Sequence, residues 1–171
     1  MFYTGVGARA TPPEICEFIT EIAKALNTAG YTLRSGGAKG ADGAFELGAQ
    51  NNKEIFYAKD ANEEALHIAS KFHPAWDNLK PYVKSLHGRN AFQVLGKYLN
   101  NPSSFLICWT PDGVTTHAQR TINTGGTGTA ISIANYYHVP VHNLKNENTF
   151  IKWKNYVEMV NDYLKQTGEK L

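Results

Sequence analysis

The chain has few of the features that mark secreted, metal-binding or membrane proteins. Only two cysteines, Cys16 and Cys108, occur in 171 residues, with no CxxC spacing and no metal-ligand grouping around them. A disulfide framework is thereby excluded, and both read as free buried thiols of a reducing compartment. His73, His87 and His117 lack mutual metal-ligand spacing, so no metal site is expected. No apolar run approaches a membrane span, and the first residues carry no basic segment ahead of an apolar one, so the expectation is a cytoplasmic protein without a membrane partner. Charge of one sign is also scarce. Seventeen Lys and Arg stand against fifteen Asp and Glu, a formal balance of +2, and the cations are scattered, which counts against a large nucleic-acid footprint. The glycine-rich run over 35–42 is neither a Walker A motif nor a dinucleotide GxGxxG.

What is there is ordinary globular composition, 42% hydrophobic and 19% charged, enough to bury a core without staples. The length suits one domain over residues 1–171, and no repeat or linker divides it. Strand-like and helical patterns alternate. Residues 2–6 read as a buried strand, Thr11-Pro12-Pro13-Glu14 as a helix start with Thr11 as cap and Glu14 closing a capping box, and residues 31–34 as a second strand. A helix over 41–50, a strand over 54–58 and a mostly helical stretch over 60–100, broken at Pro74 and Pro81, come next, the last holding a polar-aromatic group of His73, Trp76, His87, Arg89, Asn90 and Gln93, some of which are expected to overhang a ligand cleft. A very apolar strand over 104–109 leads into a polar loop or small hairpin over 110–123. A helix over 129–137, a strand over 139–143 and a closing amphipathic helix within 145–171 complete the chain, with residues 166–171 read as frayed. This order predicts an α/β fold with an open, mainly parallel sheet flanked by helices.

Two glycine-rich loops fall between strand ends and helix starts. Ser35-Gly36-Gly37-Ala38-Lys39-Gly40-Ala41-Asp42 is the first and Thr124-Gly125-Gly126-Thr127-Gly128-Thr129 the second. At such places unpaired backbone N–H groups and the positive end of a helix point outward, and glycine lets the backbone approach an anion closely. Two of them on one parallel sheet would converge at its carboxyl edge, where open α/β sheets bind ligands. Gly7 and Arg9 belong to the loop after the first strand and should open on that edge, and Arg34 and Arg89 are further guanidinium candidates beside Asn90. Arg34 has a structural ion pair as its competing role. Trp109, ahead of Thr110, has base stacking weighed against a place in the core, and Asp112 a ribose contact weighed against a turn.

Tyr3-Thr4-Gly5-Val6-Gly7-Ala8-Arg9, the run LRSGGAKGADGAFELG over 33–48, GGTGTAISIA over 125–134, RNAFQVLG over 89–96 and CWTPDG over 108–113 resemble the SLOG superfamily, and most nearly its compact, phage-associated DprA-like proteins. The resemblance implies a Rossmann-like fold of SLOG type, helices that pair into a homo-oligomer, and nucleotide ligands, nucleotide-derived signals of the cyclic ADP-ribose type held by sequestration, or single-stranded DNA. A phage-encoded chain would work in the host cytoplasm. No cofactor is required on this reading. The LOG branch hydrolyses N-glycosidic bonds with a Glu after its glycine loop, and Ser132 stands at that place here. Asp42 and Glu46, four apart on one helix, are the replacement carboxylates for such an enzyme. Three functions follow from the sequence: binding a nucleotide or nucleotide-derived signal, cleaving one, or binding single-stranded DNA.

Overall fold

In the computed structural model, which describes residues 1–168, five strands form one parallel sheet. They are β1 (Phe2–Gly7), β2 (Thr32–Ser35), β3 (Lys53–Ile55), β4 (Leu106–Trp109) and β5 (Val141–Asn143), and the order across the sheet is β3-β2-β1-β4-β5. Five α-helices, α1 (Pro13–Thr28), α2 (Ala41–Ala49), α3 (Glu63–Ser70), α4 (Pro81–Leu95) and α5 (Thr127–Tyr136), lie between the strands, and α6 (Glu147–Thr167) follows the last of them. The region expected as a loop or hairpin after β4 instead winds into two short 3-10 turns, His117–Gln119 and Ile122–Thr124. Residues 166–168 lie at the ordered end of α6, and the rest of the stretch read as frayed falls outside the described residues.

Strand alternation sorts the core into two halves. Tyr3, Leu33, Ile107 and Trp109 face α1, α2 and α6 in one buried cluster, and Val6, Leu106 and Cys108 face α3, α4 and α5 in the other. The three-layer sandwich follows from that division, since each face of a fully buried parallel sheet has to be covered by crossover helices. The apolar stripe of α6, with Trp153, Val157 and Val160, packs on the chain's own core.

Two local readings are corrected. Helix α1 begins one residue later than expected, with Pro12 at the cap, and Thr11 turns its hydroxyl back to donate to Ala8 O at 2.6 Å instead of capping the helix. Arg34 is fully sequestered, with 2% of its surface exposed. Its Nε pairs with Glu54 at 3.2 Å, its Nη1 donates to Asn101 O at 2.6 Å, and the guanidinium lies 4.0 Å from the centroid of the Phe2 ring. It ties β2 to β3 and to the segment entering β4, well inside the sheet, and contributes nothing to a ligand cleft. Arg34→Ala should therefore lower the unfolding free energy by about 3 kcal/mol, because Asn101 O and Glu54 lose their donor. Denaturant unfolding measures that loss, and ligand affinity per folded molecule should stay at the parent value.

Candidate functional site

The sheet order reverses between β1 and β4, so the chain leaves β1 toward one face and β4 toward the other, and their carboxyl ends open a crevice. A cleft of about 500 Å³ lies there. Its floor is Val6, Gly7 and Ala8, and Arg9 stands at its mouth. One face of α4 forms a wall, with Val83, Leu86, His87, Asn90 and Gln93 at helical spacing and Arg89 beside them. The opposite wall is the second glycine loop from Asn123 to Thr127, and Asp42, from the start of α2, closes the inner end.

The first glycine loop behaves differently from the expectation of a phosphate cradle. Its amides converge on the chain's own Asp42. The carboxylate, 3% exposed, accepts from Ala38 N at 3.4 Å, and the nearby amides of Gly7 and Gly36 favour its charged form. Glycine at Gly36 leaves room for the side chains gathered there, since a Cβ would collide with Gln93 Nε2 and stand 2.9 Å from both Asp42 Oδ2 and Arg89 Cζ. Gly40 takes φ +77°, and a Cβ there would meet Arg9 O at 2.5 Å, so this glycine lets the start of α2 lie against the β1 loop. Burial pushes the Asp42 carboxyl up to about 6, against the opposing pull of Arg89 and of the three amides. The anion position at the start of α2 is thus occupied from within, by a group poised between its neutral and charged forms.

Helix α4 clasps the two loops together. Arg89 Nη1 donates to Gly36 O of the first loop at 2.6 Å, and Asn90 Nδ2 donates to Gly126 O of the second at 3.3 Å. Two buried atoms of this clasp have no partner, the donor Arg89 Nε and the acceptor Gln93 Oε1. The second loop is open. A Cβ on Gly125 or on Gly126 would meet nothing within 4 Å, and Gly126 has ordinary helical dihedrals, so nothing in the protein itself requires a glycine at Gly126. The neighbouring Gly128 is explained by packing, since a Cβ there would stand 2.5 Å from Arg120 Nε.

A second cleft of about 790 Å³ lies on the far side of this loop and shares His87, Gly125 and Gly126 with the first. Lys71, His73, His117 and Arg120 line it, with no carboxylate among the lining residues. Ser132 is buried behind it, its Oγ 2.6 Å from His117 Nδ1 and accepting from Arg120 at 3.0 Å. His87, whose Nδ1 lies 2.8 Å from Thr129 Oγ1, is pushed down to about 4 by burial first and then by the positive neighbours His73, Arg120 and Arg89.

The residues singled out from the sequence therefore separate into two groups. Gly7, Arg9, Asp42, Arg89, Asn90, Gly125, Gly126 and Thr127 line the first cleft. Ser35 and Thr129 are buried with their hydroxyls engaged inside the protein, Ser35 on Gly5 O at 2.6 Å. Gly37 and Lys39 are exposed on the outer side of their loop. Glu46 leaves the site because one helical turn carries it past the edge, where it pairs with Lys53 at 2.7 Å. Trp109 falls on the α1 face of the sheet and belongs to the core, and Thr110 Oγ1 accepts from Asn143 Nδ2 at 2.7 Å. Asp112 ties two turns together by accepting from Thr121 and Thr124. His87 and Gln93 belong to the polar and aromatic group of residues 60–100 expected to supply some residues overhanging the cleft, and they share the helical spacing i, i+3, i+4, i+7 and i+10 of Val83, Leu86, His87, Asn90 and Gln93. Arg120 was not among the expected binding residues. Among the described residues no group of three His, Cys, Asp or Glu could hold a metal ion, and no helix is long and apolar enough to cross a membrane.

The buried carboxyl makes a testable prediction. A folded-state value raised from the ordinary 3.8 to about 6 means that the folded protein holds this proton more tightly than the unfolded chain does. The associated stability is complete at low pH and is lost as the pH rises through about 6. Relative to the parent, Asp42→Asn should gain about 3 kcal/mol of unfolding free energy between pH 3.5 and pH 7.5. Paired urea titrations across that range read the difference, and a difference that does not change with pH would contradict the buried, amide-nested carboxyl.

No family model and no curated protein sequence matches the chain. Among solved structures it is similar to DNA processing protein A from Helicobacter pylori, described for its single-stranded DNA binding mode, with a TM-score of 0.55 and 16% identity over 97% of this chain and 81% of that one. The likeness is one of fold, and the fold shared with that protein is a Rossmann-like α/β arrangement of a parallel sheet flanked by helices.

Proposed function

We propose that the protein binds a nucleotide or nucleotide-derived molecule in the cleft between β1 and β4 and holds it without cleaving it. The observation that carries this reading is the orphaned pair on α4, Arg89 Nε and Gln93 Oε1. A buried donor and a buried acceptor without partners cost a few kcal/mol together unless something completes them. Both atoms are shielded from solvent, so a nucleobase edge, which offers a complementary acceptor and donor, engages them by a turn of the Arg89 and Gln93 side chains toward the cleft that both residues line, and Val83 and Leu86 supply apolar contact for its face. Arg9 and the first turn of α5 supply positive charge for a phosphoryl group, and no ion pair among the described residues uses Arg9 or Arg89. Asp42, the one carboxylate lining the cleft, is placed to accept from a ribose hydroxyl.

Holding is favoured over hydrolysis by the carboxylates. Retaining or inverting cleavage of a glycosidic bond works with two carboxyl groups flanking the bond. Here Glu46 is paired with Lys53 outside the cleft, and the place of the hydrolytic Glu is taken by Ser132, buried beside His117 and Arg120. Single-stranded DNA is the second reading, supported by the single-stranded DNA binding described for the structural neighbour. It differs in requiring several phosphate contacts and hence a steep salt dependence.

Isothermal titration with AMP tests the first reading. Gln93→Leu should weaken AMP binding by about tenfold, as expected for the loss of one buried hydrogen bond, and should leave the melting temperature unchanged or raised, because the orphaned acceptor is gone. Lower affinity together with lower stability would indicate a structural role for Gln93. Incubation with AMP should return intact nucleotide, and release of adenine would overturn the holding function. For the second reading, anisotropy of a labelled oligonucleotide between 50 and 200 mM salt should show little binding. A fall of three decades in affinity over that range would favour DNA.

A further inference from the structure

We propose that the second cleft, behind the Gly125–Gly126 bridge, is an anion subsite that takes the second phosphoryl group of a dinucleotide-type ligand whose first nucleotide occupies the cleft between β1 and β4. The inference rests on the nucleotide-binding reading and adds the class of ligand.

Three independent features point to it. The second cleft brings together Lys71, His73, His117 and Arg120 with His87 on the shared wall, and no carboxylate lines it. No ion pair among the described residues neutralises Lys71 or Arg120. Arg120 sits against Gly128 in the first turn of α5, where the helix end is itself positive and where no acidic residue is present. A guanidinium at a helix N-terminus is electrostatically unfavourable. An anion between the two turns both contributions favourable, and the Nη1 bonds to Phe72 O at 2.7 Å and Ser132 Oγ at 3.0 Å fix the side chain in advance.

The bridge supplies the connection. Gly125 and Gly126 line both clefts and rise above neither, since a Cβ on either would project into open space. A ligand crossing this low wall passes His87 on one side and the exposed backbone of the loop on the other. Arg9 and Arg89 then serve one end of the ligand and Arg120 and Lys71 the other. A mononucleotide uses half of this charge, whereas two nucleotides joined through phosphate use all of it.

Calorimetric titrations with AMP and with the 5′-phosphorylated diadenylate pApA test the assignment. The parent should bind pApA at least tenfold more tightly than AMP. Arg120→Gln should remove most of that advantage while changing AMP affinity less than twofold. Because Arg120 also bonds within the fold, Lys71→Gln, at an exposed position, provides the control, with an expected threefold loss for pApA and none for AMP. Equal affinity for the two probes in the parent overturns the second subsite and leaves the first cleft standing. Absence of binding by both overturns the subsite together with the nucleotide reading. Affinity that keeps rising from pApA to longer oligoadenylate strands overturns the assignment to a small dinucleotide and identifies a polymer as the ligand.

Discussion

The carboxyl edge of a parallel sheet presents a constraint that this protein meets in an unusual way. Where the strand order reverses, the loops after neighbouring strands diverge, and their backbone amides have neither a strand nor a helix to pair with. At β1 and at the start of α2 those amides turn inward to the Asp42 carboxylate. With that anion supplied by the chain, the β1 loop, the first glycine loop and α2 become one rigid corner. Arg89 and Gln93 of α4 then reach toward Asp42 and toward Gly36, which has no side chain to exclude them. The geometry of the cleft depends on this corner, because α4 is held through Gly36 O on one side and Gly126 O on the other.

Filling one helix start from within changes the division of labour between the two glycine-rich loops. The first is structural in its amides and offers a ligand only the Asp42 oxygens. The second keeps its backbone open and carries the positive end of α5, with Arg120 behind it. The site is therefore electrostatically lopsided. One corner holds a carboxyl whose pKa burial raises to about 6, and the other gathers cations around His87, which burial first and those cations second keep neutral. A ligand with a neutral, hydrogen-bonding end and an anionic end fits that gradient, and a nucleotide has both.

Much of the architecture was legible in the sequence because the β-α alternation and the two glycine loops are local signals. The period-2 and period-3.6 patterns placed the five strands and the long helices, and the strand-loop-helix units placed both loops at one edge. The failures were tertiary. Arg34, Glu46, Trp109 and Thr110 each sit near a strand end or a helix start, so sequence position put them beside the cleft, and only the facing of each side chain removed them. Trp109 differs from Cys108 by one step of strand alternation, and that step selects the α1 core instead of the cleft side. Gln93 and His87 were legible only as members of a polar-aromatic group that could overhang the cleft, since nothing local says which face of α4 lies over a loop from the first third of the chain. Gly128 is explained by Arg120, for whose guanidinium this glycine leaves room, and no local signal in the sequence pairs the two.

The most direct test of the central claim is mass spectrometry of the small molecules released by denaturing the natively purified protein. The account predicts an intact phosphoryl-bearing nucleotide or dinucleotide, carried in proportion to protein and reduced in the Gln93→Leu variant. Recovery of free base and ribose phosphate, or of no nucleotide even after saturation with AMP and pApA, would contradict it.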